Sequence, residues 1–170
     1  MMEGKKKNQA RARALLVFGA PGSGKTTFAE KFAEKFGLAY YNLEKITKEG
    51  GFTREQILLI LAEILKTKQN IIIEGGIDTE KERVEIRNAL RNGGYEPALL
   101  WIQTDMATLR MRLKSRYRSV AKAKETYEKA VAVIEAPAEA ERPIILSGKH
   151  TFETQTKHAL TGLADLTETK

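Results

Sequence analysis

The chain contains no cysteine, which removes disulfide frameworks, thiol nucleophiles and zinc–thiolate sites together. Only two histidines occur, His150 and His158, both late in the chain, so a Ser-His-Asp hydrolase has little to draw on. Four prolines and 13 glycines in 170 residues exclude a collagenous or linker-dominated polypeptide. The longest uninterrupted apolar stretch, residues 57–62, falls far short of the roughly 20 residues that a membrane-spanning helix needs. The opening MMEGKKKNQARARALLVF has the basic region of a signal peptide, but its apolar run is too short for a hydrophobic region. A cytoplasmic location is the expectation. What remains is one domain of ordinary composition, 42% hydrophobic and 30% charged.

Lys plus Arg number 29 against 22 Asp plus Glu, a formal charge of +7. Lys5, Lys6, Lys7, Arg11 and Arg13 put much of that excess at the start, so the rest of the chain is nearly balanced. Residues 1–12 read as a disordered basic arm, 13–165 as the folded domain and 166–170 as a tail. Such an arm either solubilises the protein or touches the phosphates of nucleic acid or membrane.

From Ala14 the sequence runs ALLVFGAPGSGKTTFAEKFAEKFG. An apolar strand is followed by a glycine-rich loop and then by a helix whose Phe28, Phe32, Ala33 and Phe36 share a face, closed by Gly37. Residues 38–43 read as a second strand ending at Glu44, with KITKEGG as a polar loop. Thr53 and Gln56 form a capping box before the helical stripe of Ile57, Leu58, Leu61, Ile64 and Leu65. Residues 70–74 (NIIIE) suit a strand buried on both faces, and Gly75-Gly76 turns the chain. Thr79 and Glu82 open another helix, which Gly93-Gly94 ends. A strand over 96–103 follows, then a helix capped by Asp105 that presents Met106, Leu109, Leu113 and Tyr117 on one face. Further helices over 122–135 and 152–163 flank a short strand at 143–146. Strands alternating with helices argue for a parallel sheet covered on both faces with right-handed crossovers.

Residues Gly19, Ala20, Pro21, Gly22, Ser23, Gly24, Lys25 and Thr26 fit G-x-x-x-x-G-K-[ST] at every fixed position, between a strand and a helix. The glycines let successive N–H groups turn inward towards phosphate oxygens, and the following helix adds its positive end. Lys25 is expected to bridge the β- and γ-phosphates, and Thr26 to offer its hydroxyl to Mg²⁺.

This motif in this setting resembles P-loop nucleoside-triphosphate-binding domains of the small kinase type. N-K-x-D and D-x-x-G, which serve guanine-nucleotide switches, are absent. Leu146-Ser147-Gly148-Lys149 matches only part of the ABC signature, and 170 residues leave no room for the additional parts of AAA+ or RecA-like motors. Over residues 13–165 the chain is similar to adenylate, shikimate and gluconate kinases, and most of all to zeta-toxin-like and polynucleotide-kinase-like AAA-domain kinases.

The resemblance implies an α/β fold: a five-stranded parallel sheet with helices on both faces and a short arginine-rich lid. It implies ATP and Mg²⁺ as cofactors, and transfer of the γ-phosphoryl group to a small-molecule hydroxyl or phosphate. Lys25, Glu44, Arg112 and Arg116 are the implied catalytic residues. Gly19 to Thr26 with Thr27, Arg112, Ser147 and Gly148 would hold the nucleotide, and Thr26 with Glu74 the metal. Glu44, Arg54, Gly75 and Gly76 would meet the acceptor. Adenylate kinases carry an arginine where Asp78 stands, which counts against a nucleoside monophosphate acceptor. Arg83 and Arg87 read either as compensation for it or as exposed partners of neighbouring glutamates. His150 reads equally as a neighbour of a helix cap or as a base contact. Two alternatives stay open: an ATP-binding or slowly hydrolysing regulatory module, and a kinase acting on nucleic-acid ends, which the basic arm would suit.

Overall fold

The computed structural model of the protein describes residues 11–168. Five strands form one sheet: β1 (Arg13–Phe18), β2 (Ala39–Asn42), β3 (Ile71–Glu74), β4 (Glu96–Gln103) and β5 (Ile144–Ser147). Their order is β2-β3-β1-β4-β5, and every pairing is parallel. The helices are α1 (Lys25–Phe36), α2 (Leu43–Gly50), α3 (Arg54–Leu65), α4 (Glu80–Asn92), α5 (Met106–Tyr117), α6 (Val120–Val133) and α7 (Phe152–Glu168).

Alternation along β1 divides the core. Ala14, Leu16 and Phe18 join Ile57, Leu61 and Leu65 of α3 and Ile86 and Leu90 of α4 on one face. Leu15 and Val17 face Phe28, Phe32 and Ala33 of α1 and Ala159 and Leu163 of α7 on the other. A side chain such as Phe28, 1% exposed, contributes about 1.5–3 kcal/mol by leaving water. Both capping boxes form as expected, Thr53 with Gln56 and Thr79 with Glu82. Gly37 closes α1 in the left-handed conformation at φ 62°. Met106 departs from the expected inward stripe of α5: it is exposed, whereas Leu109 and Leu113 are buried.

Three expectations need correction. The stretch after β2 is a helix, α2, whose N-cap is Asn42: its side chain accepts a hydrogen bond from the Lys45 N–H at 2.8 Å. Leu43 anchors that helix in the core, so Glu44 lies in a first helical turn and does not end a strand. The last helix continues to Glu168, into the supposed tail. Leu166 packs against the second core cluster, and Arg13 donates to the Thr167 hydroxyl at 2.7 Å. At the other end, residues 1–10 of the arm lie outside the described residues. Ala12 packs partly against the first core cluster, and its carbonyl accepts from the Glu96 N–H at 2.8 Å.

The third correction concerns Arg83, which is wholly buried. Its guanidinium grips both oxygens of Glu141, at 2.8 and 2.9 Å, and stacks 5.1 Å from the Phe18 ring. It also donates to the carbonyls of Asp78 and Glu135 at 3.1 and 2.9 Å. Arg87 is half-buried on the same carboxylate at 3.6 Å. The pair therefore joins the β3–α4 turn to the segment that follows α6.

Candidate active site

Parallel strands bring their C-terminal ends to one edge, where the loops converge. Register puts Val17, Asn42 and Glu74 in one row. The phosphate loop therefore stands beside the end of β3, with the start of α2 one strand further out.

The loop is shaped by its glycines. Gly22 and Gly24 adopt φ of 83° and 99°, which side chains disfavour. A Cβ on Gly19 would lie 2.5 Å from the Ile102 carbonyl oxygen. The Ser23 N–H donates to the Ala20 carbonyl at 3.0 Å and tightens the turn around Pro21. No side chain caps α1, so its first N–H groups stay open for an anion. Ser23 is fully buried, and its hydroxyl has no partner among the described residues.

Two cavities flank this loop. One, of about 430 Å³, is lined by Gly22, Gly24, Thr27, Arg112, Gly148 and His150 among others. The other, of about 840 Å³, is lined by Pro21, Tyr40, Asn42, Glu44, Lys48, Asp78 and Lys129 among others. Lys25, Thr26 and Arg116 line both.

At their junction the Thr26 hydroxyl donates to Glu74 Oε1 at 2.6 Å. The other oxygen of Glu74 accepts from the Tyr40 hydroxyl at 2.5 Å. Glu74 is 2% exposed, so a buried carboxylate and a hydroxyl stand together where the two cavities meet. These hard oxygen donors fit Mg²⁺, which keeps several waters and needs few protein ligands. Burial first, then the bond to Glu74, pushes the Tyr40 phenol well above its ordinary pKa and keeps it a donor. Tyr40 escaped sequence reasoning. In LAYYNL either tyrosine could face the site, and only the pairing of β2 with β3 selects Tyr40.

The arginines of α5 diverge. Arg112 turns inward, donating to the carbonyls of Gly22 at 3.1 Å, Ser23 at 3.4 Å and Gly148 at 2.9 Å. It ties the phosphate loop to the loop after β5. Arg116, one turn on, is exposed between the two cavities. Gly148 is buried, and a Cβ there would collide with the Thr104 hydroxyl and the Ser23 carbonyl. Ser147 is not among the residues lining either cavity. Its carbonyl instead accepts from Gln155 at 2.8 Å, and Gln155 lines the first cavity.

Glu44 faces the larger cavity and bonds Lys48 at 2.5 Å. Burial raises its pKa, but the bond and charge of Lys48, with Lys25 and Arg116 nearby, more than offset that and hold it below the usual range. Asp78 lines the same cavity and is shifted oppositely, upward, by burial and then by the Glu44 charge. Arg54 does not line the cavity. Its guanidinium donates to the Gly76 carbonyl and to Glu85, both at 2.8 Å, and so clamps the turn after β3. The glycines of that turn also serve packing. A Cβ on Gly75 would lie 2.6 Å from the Glu44 Cβ, and one on Gly76 would lie 3.1 Å from the Arg54 guanidinium. Neither glycine lines either cavity; α2 packs closely on Gly75, and Arg54 of α3 on Gly76.

Comparison with known proteins bears out the fold. A gluconokinase from Sinorhizobium meliloti superposes with a TM-score of 0.69 at 19% identity, covering 92% of this chain and 94% of that one. A sugar kinase from Janibacter sp. HTCC2649 gives 0.68 at 23% identity, covering 90% and 95%. In sequence, an adenylate kinase of Pyrococcus horikoshii is 27% identical over 102 residues, 48% of this chain and 46% of the relative. A cytidylate kinase of Aeropyrum pernix is 32% identical over 108 residues, 64% of this chain and 56% of the relative. The chain thus spans about half the length of the curated relatives it matches. The family model described as AAA domain matches residues 15–140, from β1 to the 3₁₀ turn (Glu139–Glu141) before β5, and this chain belongs to that family, with the fold of a P-loop kinase.

Proposed function

We propose that the protein is an ATP- and Mg²⁺-dependent phosphotransferase that moves the γ-phosphoryl group to a small-molecule acceptor. The observation that carries this reading is the pair of cavities sharing Lys25, Thr26 and Arg116. One cavity suits a nucleotide, the other an acceptor, and the shared residues stand where phosphoryl transfer would occur. Relatives named as adenylate and cytidylate kinases, and fold neighbours named as sugar and gluconate kinases, support the reaction class.

In this reading Gly19 to Thr27 hold the phosphates, while Arg112 and Gly148 wall the nucleotide cleft. Lys25 and Arg116 stabilise the charge that spreads over the transferred group. Thr26 and Glu74 would hold Mg²⁺, which when bound neutralises charge on the β- and γ-phosphates. Glu44, fixed by Lys48, orients the acceptor. Asp78 in place of a cation supports an acceptor that presents a hydroxyl, not a phosphate, at that point.

The test is acceptor-dependent consumption of ATP with Mg²⁺ across sugars, polyols, amino alcohols, nucleosides, nucleotides and oligonucleotide ends, beside Lys25→Ala. Phosphorylated product, formed about 100-fold more slowly by the variant, is the expected result. ATP binding with no acceptor raising turnover above the variant would sink the reading in favour of a nucleotide-gated binding module.

A further inference from the structure

We infer that Asp78, and not Glu44, is the carboxylate that takes the proton from the acceptor hydroxyl. This rests on the phosphotransferase reading and goes beyond it by assigning the base. Five carboxylates line the larger cavity, Glu30, Glu44, Glu49, Glu74 and Asp78. Glu74 is committed to Thr26 and Tyr40, while Glu44 and Asp78 both feel the Lys25 charge and differ in their partners. The Glu44 oxygen already bonds the Lys48 ammonium, a contact that lowers proton affinity. The Asp78 carboxylate makes no hydrogen bond or ion pair among the described residues, so its lone pairs face the cavity uncommitted.

Its position is nonetheless fixed. The Asp78 carbonyl accepts from Arg83 at 3.1 Å and from the Glu135 N–H at 2.9 Å. On one side Ile77 is wholly buried, and on the other Thr79 caps α4 through a complete capping box. A proton acceptor needs this combination of a rigid backbone and a free side chain, because the reacting hydroxyl must be met without reorganisation. The groups around it are Lys25 from α1, Glu44 and Lys48 from α2, Glu82 from α4, Arg116 from α5 and Lys129 from α6. Burial and the Glu44 charge raise the Asp78 pKa above the usual aspartate range, which brings it nearer to working pH and makes it the stronger base of the two.

The acceptor oxygen bonds to the γ-phosphorus, the bond from that phosphorus to the β–γ bridging oxygen breaks, and ADP leaves with those electrons. The hydroxyl proton passes to an Asp78 carboxylate oxygen and then to water.

The experiment compares wild type, Asp78→Asn and Glu44→Gln on the acceptor that the wild type uses, with kcat and KM followed from pH 4.5 to 8. Asp78→Asn is expected to lower kcat by about 100-fold or more and to abolish its acid limb, leaving ATP affinity and the denaturation midpoint unchanged. Glu44→Gln is expected to raise the acceptor KM and to keep the limb. Asp78→Asn within about tenfold of wild type, or an acid limb surviving in it and vanishing in Glu44→Gln, overturns the assignment while leaving the phosphotransferase intact. If the wild type turns over no acceptor at all, both readings fall together.

Discussion

Replacing Arg83 with methionine puts the buried ion pair to the test. Methionine keeps the unbranched stem and much of the contact with Phe18, but removes every donor. The two bonds to Glu141 are lost, together with those to the carbonyls of Asp78 and Glu135. Glu141, 8% exposed, is left with the Ala138 N–H at 3.0 Å and Arg87 at 3.6 Å. Removing one partner of a buried pair costs about 3–5 kcal/mol, because the remaining charge stays desolvated. With a urea dependence of about 2 kcal/mol per molar, the unfolding midpoint should fall by roughly 1.5–2.5 M. Arg83→Met/Glu141→Leu should recover part of the loss, since no buried carboxylate is then stranded, although half-buried Arg87 loses its partner and the carbonyls of Asp78 and Glu135 lose theirs. The pH dependence has a definite sign. Hydrogen bonds from Arg83 hold the Glu141 carboxyl below its usual pKa. Stability from that bond is therefore complete above the unfolded value of about 4.3 and is lost as pH falls through the depressed folded value. The gap between wild type and Arg83→Met should accordingly narrow in acid. An Arg83→Met midpoint within about 0.5 M of wild type, or a double variant no more stable than the single one, would refute a stranded buried charge as the cause.

Two further substitutions probe the site itself. Gly148→Ala forces a methyl group against the Thr104 hydroxyl and the Ser23 carbonyl, so ATP affinity measured by calorimetry should fall by about tenfold or more while secondary structure persists. Tyr40→Phe removes the bond to Glu74 Oε2, and bonds to charged groups contribute about 1.5–3 kcal/mol. The Mg²⁺ concentration for half-maximal ATP binding should therefore shift at least severalfold, and an unchanged Mg²⁺ dependence would separate Tyr40 from the metal site.

The phosphate loop was legible from residues alone because its chemistry is local. Two glycines, a lysine and a threonine at fixed spacing between a strand and a helix, with Gly22 among the positions between, define the backbone and the donors together. The capping boxes at Thr53 and Thr79 and the closing turn at Gly37 are of the same kind. Each depends on neighbours within a few residues, and each was readable. Helix α2 was not, because Asn42 sits at once at the end of a strand and at the cap of a helix, and KITKEG carries too little apolar periodicity to separate them.

Strand order decided the rest. Tyr40 reaches Glu74 only because β2 pairs with β3, and Thr26 reaches it only because β1 lies on the other side of β3. Arg54 and Arg83 look in sequence like any helical cation. One became a clamp on the β3–α4 turn, and the other a buried tie to a carboxylate far along the chain. The sequence by itself determined the glycine-rich loop between β1 and α1, since a short motif carries its own geometry. Which charges are buried, and which carboxylate is left free beside Lys25, came from tertiary structure, because desolvation and pairing depend on residues brought together across the sheet.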